Sequence, residues 1–142
     1  MLEQSNPNIE IPISKGLNLE RFPGVRAAII KQILAAGDEM NVEKSLMFCT
    51  DDVLYRFGNF PIVFGKQEIK ESSTNFLQNF KSLKHNIQSI WEIGETIIVE
   101  MEINYIRHDN KMFTLPCCNI FLMKEELVQE MRIYMDISPV FA

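Results

Sequence analysis

Residues 127–139, Leu-Val-Gln-Glu-Met-Arg-Ile-Tyr-Met-Asp-Ile-Ser-Pro, alternate so regularly that only a strand with two different faces accommodates them. Successive strand side chains project to opposite sides. Leu127, Met131, Ile133, Met135 and Ile137 therefore share one face, and Glu130, Arg132, Tyr134 and Asp136 share the other. Three further strand patterns precede it, at about residues 85–92, 95–107 and 112–123, joined by turns at Ile93-Gly94 and His108-Asp109-Asn110. A shorter one covers Val53 to Phe57 and is broken by Gly58 and Pro61, which makes five strands.

The remaining patterns are helical. After Pro23, apolar residues recur at three and four (Val25, Ile29, Ile30, Ile33, Leu34) up to Gly37 as a stop. A second, shorter helix is capped by Asn41 and buries Leu46 and Phe48. Gly65 opens a third, with Ile69, Phe76, Leu77 and Phe80 as its stripe. Gly65-Lys66 is not a phosphate loop, because Phe60 and Gln67 stand where that loop needs Gly and Ser or Thr. Helices first and a meandering antiparallel sheet afterwards is the α+β pattern. Residues 1–21 read as an extended arm and 22–142 as one domain, since 142 residues with 46% hydrophobic content bury one core.

A formal charge of -5 and a pI near 5.1 leave no electrostatic footprint for nucleic acid or an anionic membrane. No basic, apolar leader is visible and no stretch is long enough to span a bilayer, so a cytoplasmic protein is expected. Cys49, Cys117 and Cys118 are odd in number and lack CxxC spacing, which reads as reduced thiols. No metal-ligand spacing or cofactor motif stands out, and none is expected.

The element order, Tyr55-Arg-Phe-Gly58, Gly65, His85-x-Ile-x-x-x-Trp91 and Arg132-Ile-Tyr-Met-Asp136 together resemble the SnoaL-like, nuclear-transport-factor-2-like superfamily over about residues 22–140. That superfamily includes ketosteroid isomerases, polyketide cyclases, limonene epoxide hydrolase and non-catalytic modules. The resemblance implies a cone-like fold, with three N-terminal helices packed on a curved antiparallel sheet that encloses a pocket. Its strand pairing, with the alternation, turns Ile97, Val99, Met101, Ile103 and Tyr105 inward, together with Leu115, Cys117, Asn119 and Phe121. The water-activating Asp-Arg-Asp set of limonene epoxide hydrolase would fall on Met101, Ile103 and Ile133, all apolar, and its Asn on Phe57, although its Tyr matches Tyr55. No inward strand position carries a carboxylate, which disfavours a carboxylate base.

The polar inward residues are then Tyr55, His85, Ser89, Tyr105 and Asn119. His85 titrates near neutrality and is the candidate base, and a Tyr hydroxyl can donate to a substrate oxygen that gains charge. Tyr55 is grouped with His85 as catalytic. Tyr105, Asn119, Met101, Ile103, Leu115, Cys117, Met131, Ile133, Met135 and Trp91 are expected to line a site for a small, mostly apolar molecule. His85 and both tyrosines serve equally as packing residues of a non-catalytic ligand-binding or dimerisation module. Ile98, Ile106, Cys118, Ile120, Leu122, Val128 and Tyr134 fall on the outer sheet face, more apolar than water tolerates, and imply a homodimer.

Overall fold

The computed structural model of the chain describes residues 24–142. The expected arm and Pro23 lie outside them. Helix α1 (Val25–Asp38) buries Ala27, Ile29, Ile30, Ile33 and Leu34, spaced at three and four so that they share one side of the helix. Val25, read as part of this stripe, is 60% exposed. Gly24 provides no side-chain cap; Glu92 accepts the Ala27 N–H at 3.0 Å instead, a carboxylate placed where the helix N-terminus is positive. Asn41 caps α2 (Val42–Leu46) through the Lys44 N–H, as its side-chain chemistry predicts.

The strands are β1 (Cys49–Phe57), β2 (Val63–Phe64), β3 (Phe80–Ile93), β4 (Thr96–Arg107), β5 (Met112–Lys124) and β6 (Leu127–Tyr134), with α3 (Lys66–Leu77) between β2 and β3. They form one six-stranded sheet in the order β2-β1-β6-β5-β4-β3. Two corrections to the meander follow. β2 is a sixth, edge strand, and β1 runs parallel to β6, Tyr55 beside Met131 and Phe57 beside Ile133, so the first and last strands in sequence lie side by side next to the β2 edge. Phe80, assigned by its apolar character to α3, opens β3 instead. The alternation expected through Pro139 stops at Tyr134, and the short helix α4 (Ser138–Phe141) follows with Pro139 in its first turn. Glu125 takes φ +58 in the last hairpin, the left-handed conformation that a glycine usually supplies.

β4 and β5 pair without interruption from Thr96–Leu122 to Ile106–Met112. Their inward residues are therefore those that the alternation assigns, and Ile97, Val99, Met101, Ile103, Tyr105, Cys117, Asn119 and Phe121 are all buried. Bulges break the phase elsewhere. Ile87 pairs with Met101 but Ser89 with Glu100, so Gln88 is an extra residue and every side chain after it changes face. Ile90 and Glu92 thus point inward, while Ser89 and Trp91, expected inside, join the outer row beside Glu100 and Ile98. Gln129 is likewise extra in β6, where Leu122 pairs with Glu130 but Met123 with Val128. Val128 is consequently buried in the core, and Leu127 is exposed.

Candidate functional site

α1 lies on β3, and its last turn meets the first half of that strand. Asp38, at the C-terminal end of α1, accepts twice through one oxygen: from the backbone N–H of His85 at 2.8 Å and from its ring Nδ1 at 2.7 Å. Lys84 reaches the other carboxylate oxygen at 3.5 Å from the solvent side. Gly37 makes this approach possible, since a Cβ there would sit 3.1 Å from His85 Cε1. Burial lowers the His85 pKa below its ordinary 6.5, because an imidazolium loses hydration there; the Asp38 carboxylate and the Leu34 carbonyl pull the other way without reversing the shift. The ring is therefore neutral near pH 7. In the neutral tautomer that donates Nδ1–H to Asp38, Nε2 carries the lone pair.

His85 stands in the wall of a cavity of about 140 Å³. α3 presents Ile69, Ser73, Phe76 and Leu77 to it from one side, and α1 and α2 contribute Ile33, Leu34, Asn41, Val42 and Leu46. The sheet supplies Tyr55, Leu83, Ile103, Tyr105, Asn119, Met131, Ile133 and Met135. Of the residues expected here, Met101 and Cys117 are buried behind this wall, Leu115 lies beyond it on the same face, and Trp91 is on the other face.

The polar groups in the wall have weak protein partners. Tyr105, 3% exposed, directs its hydroxyl to the thioether of Met135 at 3.6 Å, its one hydrogen-bond partner among the described residues. Asn119, also 3% exposed, accepts from Cys117 Sγ at 3.2 Å, and its amide N–H₂ has no partner among the described residues. Burial raises the pKa of both tyrosines, with Ser73 beside Tyr55 opposing the shift there, so both are neutral donors. Burial pushes the Cys117 thiol up to about 12, which leaves it protonated and poorly nucleophilic. Among the described residues no group of three or more His, Cys, Asp or Glu side chains converges to hold a metal.

The strand-by-strand reading missed two of these residues. Asp38 reaches His85 from a helix, four residues after Leu34 on the inward stripe and one past the Gly37 read as a stop; the inward strand carboxylate that corrects the expectation of none is Glu92, which holds the α1 N-terminus and does not line the cavity. Ser73 lies four after Ile69 and three before Phe76 on the inward side of α3, and only its polarity hid it.

Residues 30–131, most of the chain, match the family model of the SnoaL-like domain. The chain belongs to this family. No curated protein is similar enough in sequence to match. This SnoaL-like chain shares its fold with the proposed SnoaL-like polyketide cyclase of Jannaschia sp. CCS1, at 14% identity over 82% of this chain and 89% of that one, with a TM-score of 0.73. A limonene-epoxide-hydrolase-like epoxide hydrolase of M. tuberculosis is 16% identical over 82% and 86%, TM-score 0.70. A ketosteroid-isomerase-like-fold protein of Catenulispora acidiphila DSM 44928, in complex with trimethylamine, is 15% identical over 79% and 88%, TM-score 0.72. Identities this low carry the cone-like α+β fold and no activity.

Proposed function

We propose that this SnoaL-like protein binds a small, uncharged, carbonyl-bearing molecule and moves a proton on it, as an isomerase, cyclase or lyase does. The observation that carries the reading is the 2.7 Å contact of Asp38 with His85 Nδ1 at the wall of an apolar cavity. His85 Nε2 takes a proton from the carbon next to the carbonyl, and Asp38 stabilises the imidazolium that forms. The electron pair moves onto the carbonyl oxygen, where the Asn119 amide and the Tyr105 and Tyr55 hydroxyls are the available donors. Where the ligand carries a C=C bond β,γ to the carbonyl, return of the proton from Nε2 to the γ-carbon of the dienolate shifts that bond into conjugation and completes an isomerisation with no oxidant or reductant.

Size and charge limit the ligand. An apolar cavity of about 150 Å³ holds a benzene ring, so the 140 Å³ here suits a single six-membered ring. No Lys or Arg among the described residues lines it, and a carboxylate would be desolvated without a partner close to Asp38. Calorimetric titration should show cyclohexanone and cyclohexanol binding at least about tenfold more tightly than cyclohexanecarboxylate. Tighter binding of the carboxylate would overturn this reading of the cavity. The free thiols Cys49, Cys117 and Cys118 fit a reducing, cytoplasmic setting, and no helix among the described residues is long and apolar enough to cross a membrane.

A homodimer through the outer sheet face is the second part of the proposal. One row of that face reads Trp91, Ile98, Ile120, Arg132, Arg56 and the next Ser89, Glu100, Cys118, Tyr134. Arg132 reaches Glu130 at 3.7 Å through one terminal nitrogen while its Nε is buried without a partner among the described residues, and Glu100 and Glu102 are exposed with no ion pair among those residues. A second copy related by a two-fold axis brings arginines on one side of the face to carboxylates on the other. Sedimentation at micromolar concentration should give twice the 16.5 kDa chain mass, and Arg132→Glu should halve it. A wild-type monomer whose stability is unchanged by dilution would refute this.

A further inference from the structure

A second, smaller cavity of about 60 Å³ lies against the first. The two share a wall made of Tyr55, Phe57, Ser73 and Phe76. Its own boundary is Phe60, Pro61, Val63 and Ser72, from the loop before β2, from β2 itself and from the outer edge of α3. An aromatic series connects the two spaces: Phe57 lies 5.1 Å from Phe76 and 5.8 Å from Phe60 between ring centroids, and Phe60 is half-exposed at the surface.

We propose that this second cavity is a subsite for a short apolar substituent carried by the ring-sized ligand of the main cavity. The inference rests on the reading above, that the main cavity holds a neutral cyclic ketone. Size is the first argument: the main cavity takes one ring and leaves no room for a side chain, whereas the smaller one takes a few methylenes. Chemistry is the second. Phe60, Pro61 and Val63 present carbon side chains on the subsite's own boundary, Ser72 and Ser73 add hydroxyls, and no charged residue among the described residues lines it, so it suits a short uncharged substituent that meets mostly carbon. Ser73 is the smallest residue of the shared wall, which places the passage between the two cavities at Ser73. The substituent entering there keeps the ring oriented, with its carbonyl directed away from the β2 edge and into the main cavity.

The test is calorimetric titration of cyclohexanone and its 4-methyl, 4-ethyl and 4-propyl derivatives with the intact protein. Each methylene that enters the subsite should tighten binding about fourfold, until it is full. Val63→Phe fills the subsite, and Phe60→Ala removes one of its walls; neither residue lines the main cavity. Both variants should bind cyclohexanone within twofold of wild type and lose most of the gain with chain length, and melting curves establish that each is folded. The Phe60 change falls on a half-exposed ring and keeps the test available if the larger Val63 side chain prevents folding. A flat series in wild type, or an equal gain in wild type and in both variants, overturns the subsite and leaves the main-cavity reading standing. No binding of cyclohexanone itself overturns both.

Discussion

His85→Gln should slow protein-catalysed exchange of the α-protons of cyclohexanone in D₂O by about 10²–10⁴, the usual contribution of a positioned acid or base. The reaction needs only the first half of the proposed mechanism and is followed by NMR. Gln can still donate to Asp38, so the fold should lose only about 1 kcal/mol. Turnover and melting temperature measured on the same protein separate the two roles: a stable, fully active variant eliminates His85 as the base. Wild-type protein without exchange above buffer would make the site a binding module. The pH dependence has a definite sign. Because the His85 pKa is lowered on folding from 6.5, the rate should rise with pH through a value below 6.5 and be flat around neutrality. The stability that this group contributes is complete above 6.5 and is lost as pH falls from 6.5 to the folded value, where the unfolded chain binds the proton first. His85→Gln should remove that slope.

The second large effect is expected at Asp38, which acts through His85 rather than on the ligand. Asp38→Asn retains an oxygen that can accept from the His85 backbone N–H and from Nδ1–H, but it removes the charge that supports the imidazolium. Exchange should fall by roughly 10- to 100-fold, and the midpoint of the pH profile should move further down, because the carboxylate opposes the lowering of the His85 pKa. Asp38→Ala also takes the acceptor from the part-buried His85 backbone N–H and should cost about 1–3 kcal/mol more in stability. Loss of the Lys84 ion pair adds little, since the Lys84 side chain is 65% exposed. Exchange within twofold of wild type in Asp38→Asn, with an unmoved pH midpoint, would show that the carboxylate only holds the strand.

Local patterns determined a good deal about this protein. Alternation in β4 and β5 places Met101, Ile103, Tyr105, Cys117 and Asn119 correctly, because those strands pair without a bulge and a period of two stays in phase. Asn41 declared its cap, and Ile30, Ile33 and Leu34 declared the buried side of α1, since both signals lie within a few residues. Tertiary structure decided the rest. Gln88 and Gln129 have nothing in their side chains that marks a bulge; each becomes the extra residue only through the register of the neighbouring strand, and that reverses Trp91 and Val128. The parallel contact of β1 with β6 joins segments that local patterning cannot relate. Asp38 and His85 are 47 positions apart, and only the packing of α1 on β3 brings a carboxylate from a helix end to a ring on a strand. The residues capable of the chemistry were visible in the chain, but their juxtaposition is a property of packing between elements, which no local period contains.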